Sequence, residues 1–268
     1  MICRLSFEPE IEPQVLFTHF LQANDLSAAY EAAVRAAGLA ESQLAFERAA
    51  VFYQAALEAG QLEPRRISEL RGKLADMLGL AGRSRDSAHA YLKAAESCSP
   101  DIAFDLQRKA TDQLMRGGHI DEALELFEKL AAKVGVRVPA SPAEALRRTA
   151  IARLRTRIRL LAGVPEPVKD PPRSDDLARL ELLRSGGSAL SVANPLLAAY
   201  YQTHHVLEAL RVREPTHLAI ALAIESSVRI AQGKGNLKVA LDLHRRAEEL
   251  AEATGNPNTL GLIYLIRA

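Results

Sequence analysis

The 268-residue chain carries 34 Lys and Arg against 33 Asp and Glu, a formal net charge of +1 at pH 7, so no global field draws it to nucleic acid or to an acidic partner. Hydrophobic residues make up 48% but aromatics only 5%, with no Trp and 46 alanines, a composition suited to closely packed helices rather than to a sheet. No run approaches the ~20 apolar residues that a bilayer span needs, and the two cysteines, Cys3 and Cys98, lack the spacing of a disulfide or metal framework and fit a reducing cytosol.

Residues 1–13 read as a linker or the tail of an upstream region. The segment MICRLSFEPEIEP has acids and prolines where a signal peptide needs a longer apolar core and a small-residue cleavage site, so a cytoplasmic protein is expected. Gln14 to Ala23 makes a short helix, and Asn24-Asp25 turns the chain. Two Ala-rich helices follow, Leu26 to Glu41 and Ser42 to Ala59, the second stopped by Gly60. Glu63-Pro64 opens a helix ending at Ala81 and Gly82, and Asp86 to Ser97 is the next.

The clearest unit is Pro100 to Gly135. In its second half Ile120, Ala123, Leu124, Phe127, Leu130 and Ala131 recur at three- and four-residue spacing, one stripe of a helix. Its first half offers Ile102, Leu106, Ala110 and Leu114 as the matching stripe. Ser99-Pro100 supplies the N-cap and first helical residue, while Gly117-Gly118-His119 turns the chain back. A lone hairpin leaves apolar faces wet, so stacked neighbours are expected.

The series Gly118, Ala123, Phe127, Leu130 resembles the tetratricopeptide repeat, in which a turn Gly is followed by a small residue, an aromatic and another small residue. Gly82, Ser87, Tyr91, Ala94 is a second copy and Gly235, Ala240, His244, Ala247 a third. A weaker series runs Asn24, Ala29, Ala33, Ala36. The small residue that the family places in the first helix is Ala75 in one copy, but Thr111 and Val228 in the others. Over roughly Leu16 to Ala162 the phrasing also resembles the helical-repeat region downstream of the ATPase module in large bacterial regulators, which often begin with a serine/threonine protein kinase domain and continue with an AAA or STAND-type ATPase. The resemblance implies an all-α fold of antiparallel hairpins stacked as a right-handed solenoid. It also places Asp105, Arg108, Asp112 and Arg116, three or four apart on a first helix, toward a concave groove. They read either as a solvated face with helical ion pairs, worth about 0.3 kcal/mol each, or as part of a peptide-binding groove.

Ser141-Pro142-Ala143-Glu144 is a capping box, and the helix it opens runs to about Leu161. On it Ile151, Leu154, Ile158 and Leu161 share a stripe flanked by Arg148, Arg155 and Arg159 on one side and Arg153 and Arg157 on the other. One expectation is a packed helix whose arginines pair with Glu166, Asp170, Asp175, Asp176 or Glu181. The alternatives are a docking surface for an acidic segment through Arg148, Arg155 and Arg159, or contact with phosphate or nucleic acid.

Four prolines in Gly163 to Arg173 favour an extended connection, giving an expected division into a helical array over 14–162, a linker over 163–173 and a second helical segment over 174–268. Ser174-Asp175-Asp176 is expected to cap a helix reaching Ser191, kinked or divided at Gly186-Gly187. Asn194-Pro195 starts another to about Arg211, followed by Pro215 to Gln232 and Asn236 to Thr254. The last helix begins at Asn256-Pro257 and ends, uncapped and apolar, at LGLIYLIRA, as expected of a fragment or an array without its capping repeat.

No phosphate-binding GxxxxGK[ST] motif, kinase loop motif or GxSxG elbow occurs. His204 and His205 sit side by side and cannot chelate as an i, i+4 pair; they are expected as packing or surface residues, and Tyr200 and Tyr201 with His204 as core and groove lining rather than a base-stacking platform. No convergent titratable cluster is legible, and no cofactor or metal is expected. The leading expectation is a non-catalytic protein-protein interaction scaffold or sensor arm whose partner is a protein, a peptide or a neighbouring domain of the same polypeptide, with neither nucleic acid nor membrane. The alternatives are a segment acting in cis on a kinase or ATPase, and an α-helical enzyme.

Overall fold

The computed structural model describes residues 12–60, 62–233 and 237–267. The tail before Glu12 with Cys3, and the turn residues Lys234, Gly235 and Asn236, lie outside the described residues, and with them the turn of the third repeat copy. Thirteen α-helices and no strand are found among the described residues. The chain forms two compact units, Met1–Leu126 and Phe127–Ala268.

The first unit holds α1 (Pro13–Gln22), α2 (Leu26–Ser42), α3 (Phe46–Ala59), α4 (Pro64–Leu80), α5 (Ser84–Ala95), α6 (Pro100–Arg116) and the start of α7 (Ile120–Lys133). From α1 to α6 each helix packs on its sequence neighbours. Proline stands in the first turn of α1, α4 and α6, where its missing N–H has no helical partner to lose. The tight turns carry one residue in the left-handed region, Asn24, Leu44, Gly82 and Gly118. Leu44 replaces the expected helix start at Ser42: α2 runs on through Ser42, and α3 begins only at Phe46.

Alanine lets these helices approach closely. All of Ala29, Ala32, Ala33, Ala36, Ala37 and Ala40 on α2 are buried, and serine hydroxyls bridge adjacent helices. Ser87 Oγ donates to the Ala75 carbonyl and Ser68 Oγ to the Ala94 carbonyl, both at 2.6 Å. On α6, Ala110 and Leu114 are fully buried, but Ile102 is 55% exposed, so the expected stripe begins one turn later.

The second unit continues α7 and adds α8 (Pro142–Leu161), α9 (Ser174–Ala189), α10 (Pro195–Val212), α11 (Pro215–Ala231), α12 (Leu237–Thr254) and α13 (Pro257–Arg267). Here α10 is the hub, with α8, α9 and α11 packed on it, while α12 and α13 pack on α11. Val206, Leu210, Leu218, Leu222, Leu243, Leu250 and Ile263 form its core, each burial contributing about 2 kcal/mol. The helix α9 is continuous through Gly186-Gly187, contrary to the expected kink. A Cβ on Gly186 would lie 2.9 Å from the Phe127 ring and 3.1 Å from that of Tyr201, so the glycines serve close approach. Ser174 is the first helical residue, not the cap. The proline-rich stretch lies within this unit: the Val168 N–H donates to the Arg213 carbonyl at 2.9 Å, and Glu166 accepts two bonds from Arg246.

Candidate functional site

In the first unit two hairpins carry the same device. Nine residues beyond the turns at Leu44 and Gly82 stand Tyr53 and Tyr91, 1% and 4% exposed. The Tyr53 hydroxyl donates to Glu41 at 2.9 Å and the Tyr91 hydroxyl donates to Asp76. A lysine from a neighbouring helix covers each ring, Lys73 Nζ at 5.6 Å from the Tyr53 centroid and Lys109 Nζ at 5.9 Å from that of Tyr91, a cation–π arrangement. Burial, and then the hydrogen bond to the carboxylate, push both hydroxyls above the ordinary tyrosine range. They are therefore held protonated, as donors.

Around these tyrosines α4 places Arg66, Glu69, Lys73 and Asp76 at helical spacing, and α6 places Asp105, Lys109, Asp112 and Arg116. A recess of about 320 Å³ lies between α2, α3 and α4, lined by Val34, Tyr53, Arg66 and Lys73. A wider groove of about 750 Å³ lies between α3, α4 and α5, where Val51, Leu74 and Leu78 alternate with Glu58, Arg71 and Lys93.

Of the four groove candidates, three are drawn into one network. Arg108 is buried, its Nη2 donating to Asp105 at 2.6 Å and its Nη1 to Asp112 at 3.1 Å. Asp105 also lies 3.4 Å from Lys109. Arg108 thus points into the packing, whereas Arg116 is exposed at the end of α6. Sequence reasoning missed Tyr53 and Lys73, because the turn before Tyr53 is made by a leucine rather than a glycine. Nothing local in the sequence marks that turn, so no spacing counted from it could have found them.

In the second unit the capping box forms largely as expected. Ser141 Oγ accepts from the Glu144 N–H at 3.2 Å, and the Glu144 carboxylate accepts from the Ala140 N–H at 2.9 Å and from Arg148 at 2.7 Å. These bonds, the backbone one foremost, hold the Glu144 carboxyl below the usual range.

The faces of α8 are the reverse of the expected ones. Its buried residues are Ala145, Thr149, Ala152 and Thr156, whose small side chains let it close on α10. The apolar stripe looks outward: Ile151 is 41% exposed, Leu154 59%, Ile158 58% and Leu161 85%. The acids proposed for its arginines are engaged elsewhere or exposed. Glu166 binds Arg246, Asp175 lies 4.0 Å from Arg173, Asp176 binds Arg211, and Glu181 binds Arg184, while Asp170 is exposed. Of the acidic-partner candidates, Arg148 is half-buried against Glu144. Arg155 is exposed, and Arg159 reaches the Leu207 carbonyl at 3.4 Å.

A titratable cluster absent from the sequence reading lies between α9, α10 and α11. His205 Nε2 is 3.0 Å from His217 Nδ1, His217 Nε2 is 3.4 Å from Glu181, and Glu181 accepts from Arg184 at 2.7 Å. If His217 Nε2–H faces the carboxylate, its Nδ1 accepts from His205 Nε2–H, leaving His205 Nδ1 as a buried atom without a partner. Burial, with the charges of His217 and Arg184, pushes His205 down to about 3. Burial raises the Glu181 carboxyl, but His217 and Arg184 outweigh it and leave it far below the usual carboxylate range. This is a chain that could move a proton; its imidazoles are closed off, His205 0% and His217 3% exposed, while Glu181 and Arg184 are half-buried. The contacts tie three helices together.

The tyrosines Tyr200 and Tyr201 are core residues, the Tyr200 hydroxyl donating to the Arg137 carbonyl at 2.9 Å. Among the described residues no group of three His, Cys, Asp or Glu is placed to hold a metal ion, and no helix is long and apolar enough to cross a membrane. Comparison with protein-family models, with characterised proteins and with solved structures returned no match for this chain.

Proposed function

We propose that this chain is a non-catalytic protein-interaction module, a tetratricopeptide-like array of hairpins whose first helices present a groove to a peptide or to a neighbouring domain. The observation that carries the proposal is the repeated device of Tyr53 and Tyr91: in successive hairpins a buried tyrosine bonds an acid and lies beneath a lysine of an adjoining helix. Repetition of one packing unit is the mark of repeat architectures, whose extended surfaces serve recognition. Lys73 and Arg116 are exposed and Lys109 is half-buried between Tyr91 and Asp105; these are the cations assigned to the groove, while Arg108 is a positioning residue. The resemblance to helical regions of bacterial kinase and ATPase regulators supports a role as a sensor arm or scaffold in such a signalling polypeptide.

Peptides selected on the purified chain from a random display library test this. Those retained by the native chain are expected to lose at least tenfold in affinity for the triple variant Lys73→Glu, Lys109→Glu, Arg116→Glu. Equal binding to both chains would remove the groove from this face.

A further inference from the structure

The outward stripe of α8 has a finer order than exposed apolarity. Ile151, Leu154, Ile158 and Leu161 follow three-four-three spacing, the a and d positions of a heptad, with isoleucine at both a and leucine at both d. That combination favours a two-stranded parallel seam. In this register Arg148 and Arg155 take e positions and Arg157 a g position, the places that choose a partner by charge. The stripe lies opposite the small residues that hold α8 to α10, so the seam stays accessible while the helix is fixed from behind.

Charge decides what covers it. Arg147, Arg153, Arg155, Arg157 and Arg159 are all exposed, and among the described residues none of them is in an ion pair. Arg157 bonds the neutral Gln232 and Arg159 a backbone carbonyl. The only acid of α8, Glu144, is already held by Arg148 and Arg137. A second copy would bring an equal set of unpaired arginines to the same seam, a like-charge contact that disfavours the pair. An anionic bilayer calls for a wide apolar face with aromatic anchors, whereas this seam is two rows wide and α8 contains no aromatic residue and no lysine.

We propose that the outer face of α8 docks one acidic amphipathic helix, supplied by another protein or domain, with apolar residues at heptad spacing and Glu or Asp on both flanks. Arg155 and Arg157 select the acidic flank, and Ile151, Leu154, Ile158 and Leu161 supply the contact. This rests on the reading of the chain as a protein-binding module but uses another surface, so the two fail separately.

The test uses the whole chain and a synthetic helix of about three heptads with Ile at a, Leu at d and Glu at e and g, against the same peptide carrying Lys at e and g. The Glu peptide should bind at least tenfold more tightly and weaken as salt is raised. The double variant Leu154→Gln, Ile158→Gln, exposed at both sites, should lose that binding with an unchanged circular dichroism spectrum. Arg155→Glu with Arg157→Glu should transfer the preference to the Lys peptide. The triple variant at Lys73, Lys109 and Arg116 should bind the Glu peptide as the native chain does. No binding of the Glu peptide or equal binding of both peptides overturns the proposal. So does sedimentation with phosphatidylserine vesicles without peptide binding, or self-association that the Leu154/Ile158 variant abolishes.

Discussion

His205 Nε2 lies 3.0 Å from His217 Nδ1 in the interior of the second unit, with Glu181 and Arg184 of α9 at the far side of His217. Adjacent imidazoles cannot both accept a proton without strong repulsion, and burial sets His205 near 3.

The pH dependence follows from that depression. Unfolded, His205 titrates near its ordinary value of 6.5, so between about pH 6.5 and 3 the unfolded chain binds a proton that the folded chain refuses. Stability is complete above pH 6.5 and declines on acidification, by about 2 kcal/mol at pH 5. The depressed Glu181 acts in the same direction below its ordinary range. Melting temperature should therefore fall by a few degrees from pH 7 to pH 5, with a flatter profile in His205→Phe; equal slopes would refute the assignment.

The inward turn of Arg108 separates it from Arg116. Arg108→Ala leaves Asp112 facing a half-buried site and should destabilise by about 2 kcal/mol. Arg116→Glu, at an exposed position, should change stability by less than about 0.5 kcal/mol. Urea denaturation of both variants provides the comparison.

Gly186 and Gly72 predict opposite effects of one methyl group. A Cβ at Gly186 would meet the Phe127 and Tyr201 rings, whereas Gly72 on α4 has nothing within 4 Å. Gly186→Ala should lose about 2 kcal/mol through overpacking, and Gly72→Ala should gain up to about 1 kcal/mol in helix propensity. Thermal melts decide it.

Leu44 stands at φ 58° and is 72% exposed, so its backbone carries the left-handed penalty with little burial to offset it. Leu44→Gly should stabilise the α2–α3 hairpin by about 1 kcal/mol. A lower midpoint in denaturant would show that the leucine side chain holds the turn.

Helix positions were legible because their determinants are local. Pro64, Pro100, Pro142 and Pro195 open helices, and Gly82 and Gly118 turn the chain at the expected places. The α2–α3 turn was not, since nothing in a leucine announces a positive φ. Nor was the histidine pair: spacing along α10 rules out chelation by His204 and His205 but says nothing of His217, which the next helix brings alongside.

By itself the sequence determined an all-helical chain, the order of its hairpins and the existence of an apolar, arginine-flanked stripe on α8. Only the tertiary structure decided that the stripe faces outward and that Arg108 faces in. Periodicity reports which residues share a side of a helix. Which side is buried depends on the surface that meets it, and on α8, packed on α10, that side is the one carrying Ala145, Thr149, Ala152 and Thr156.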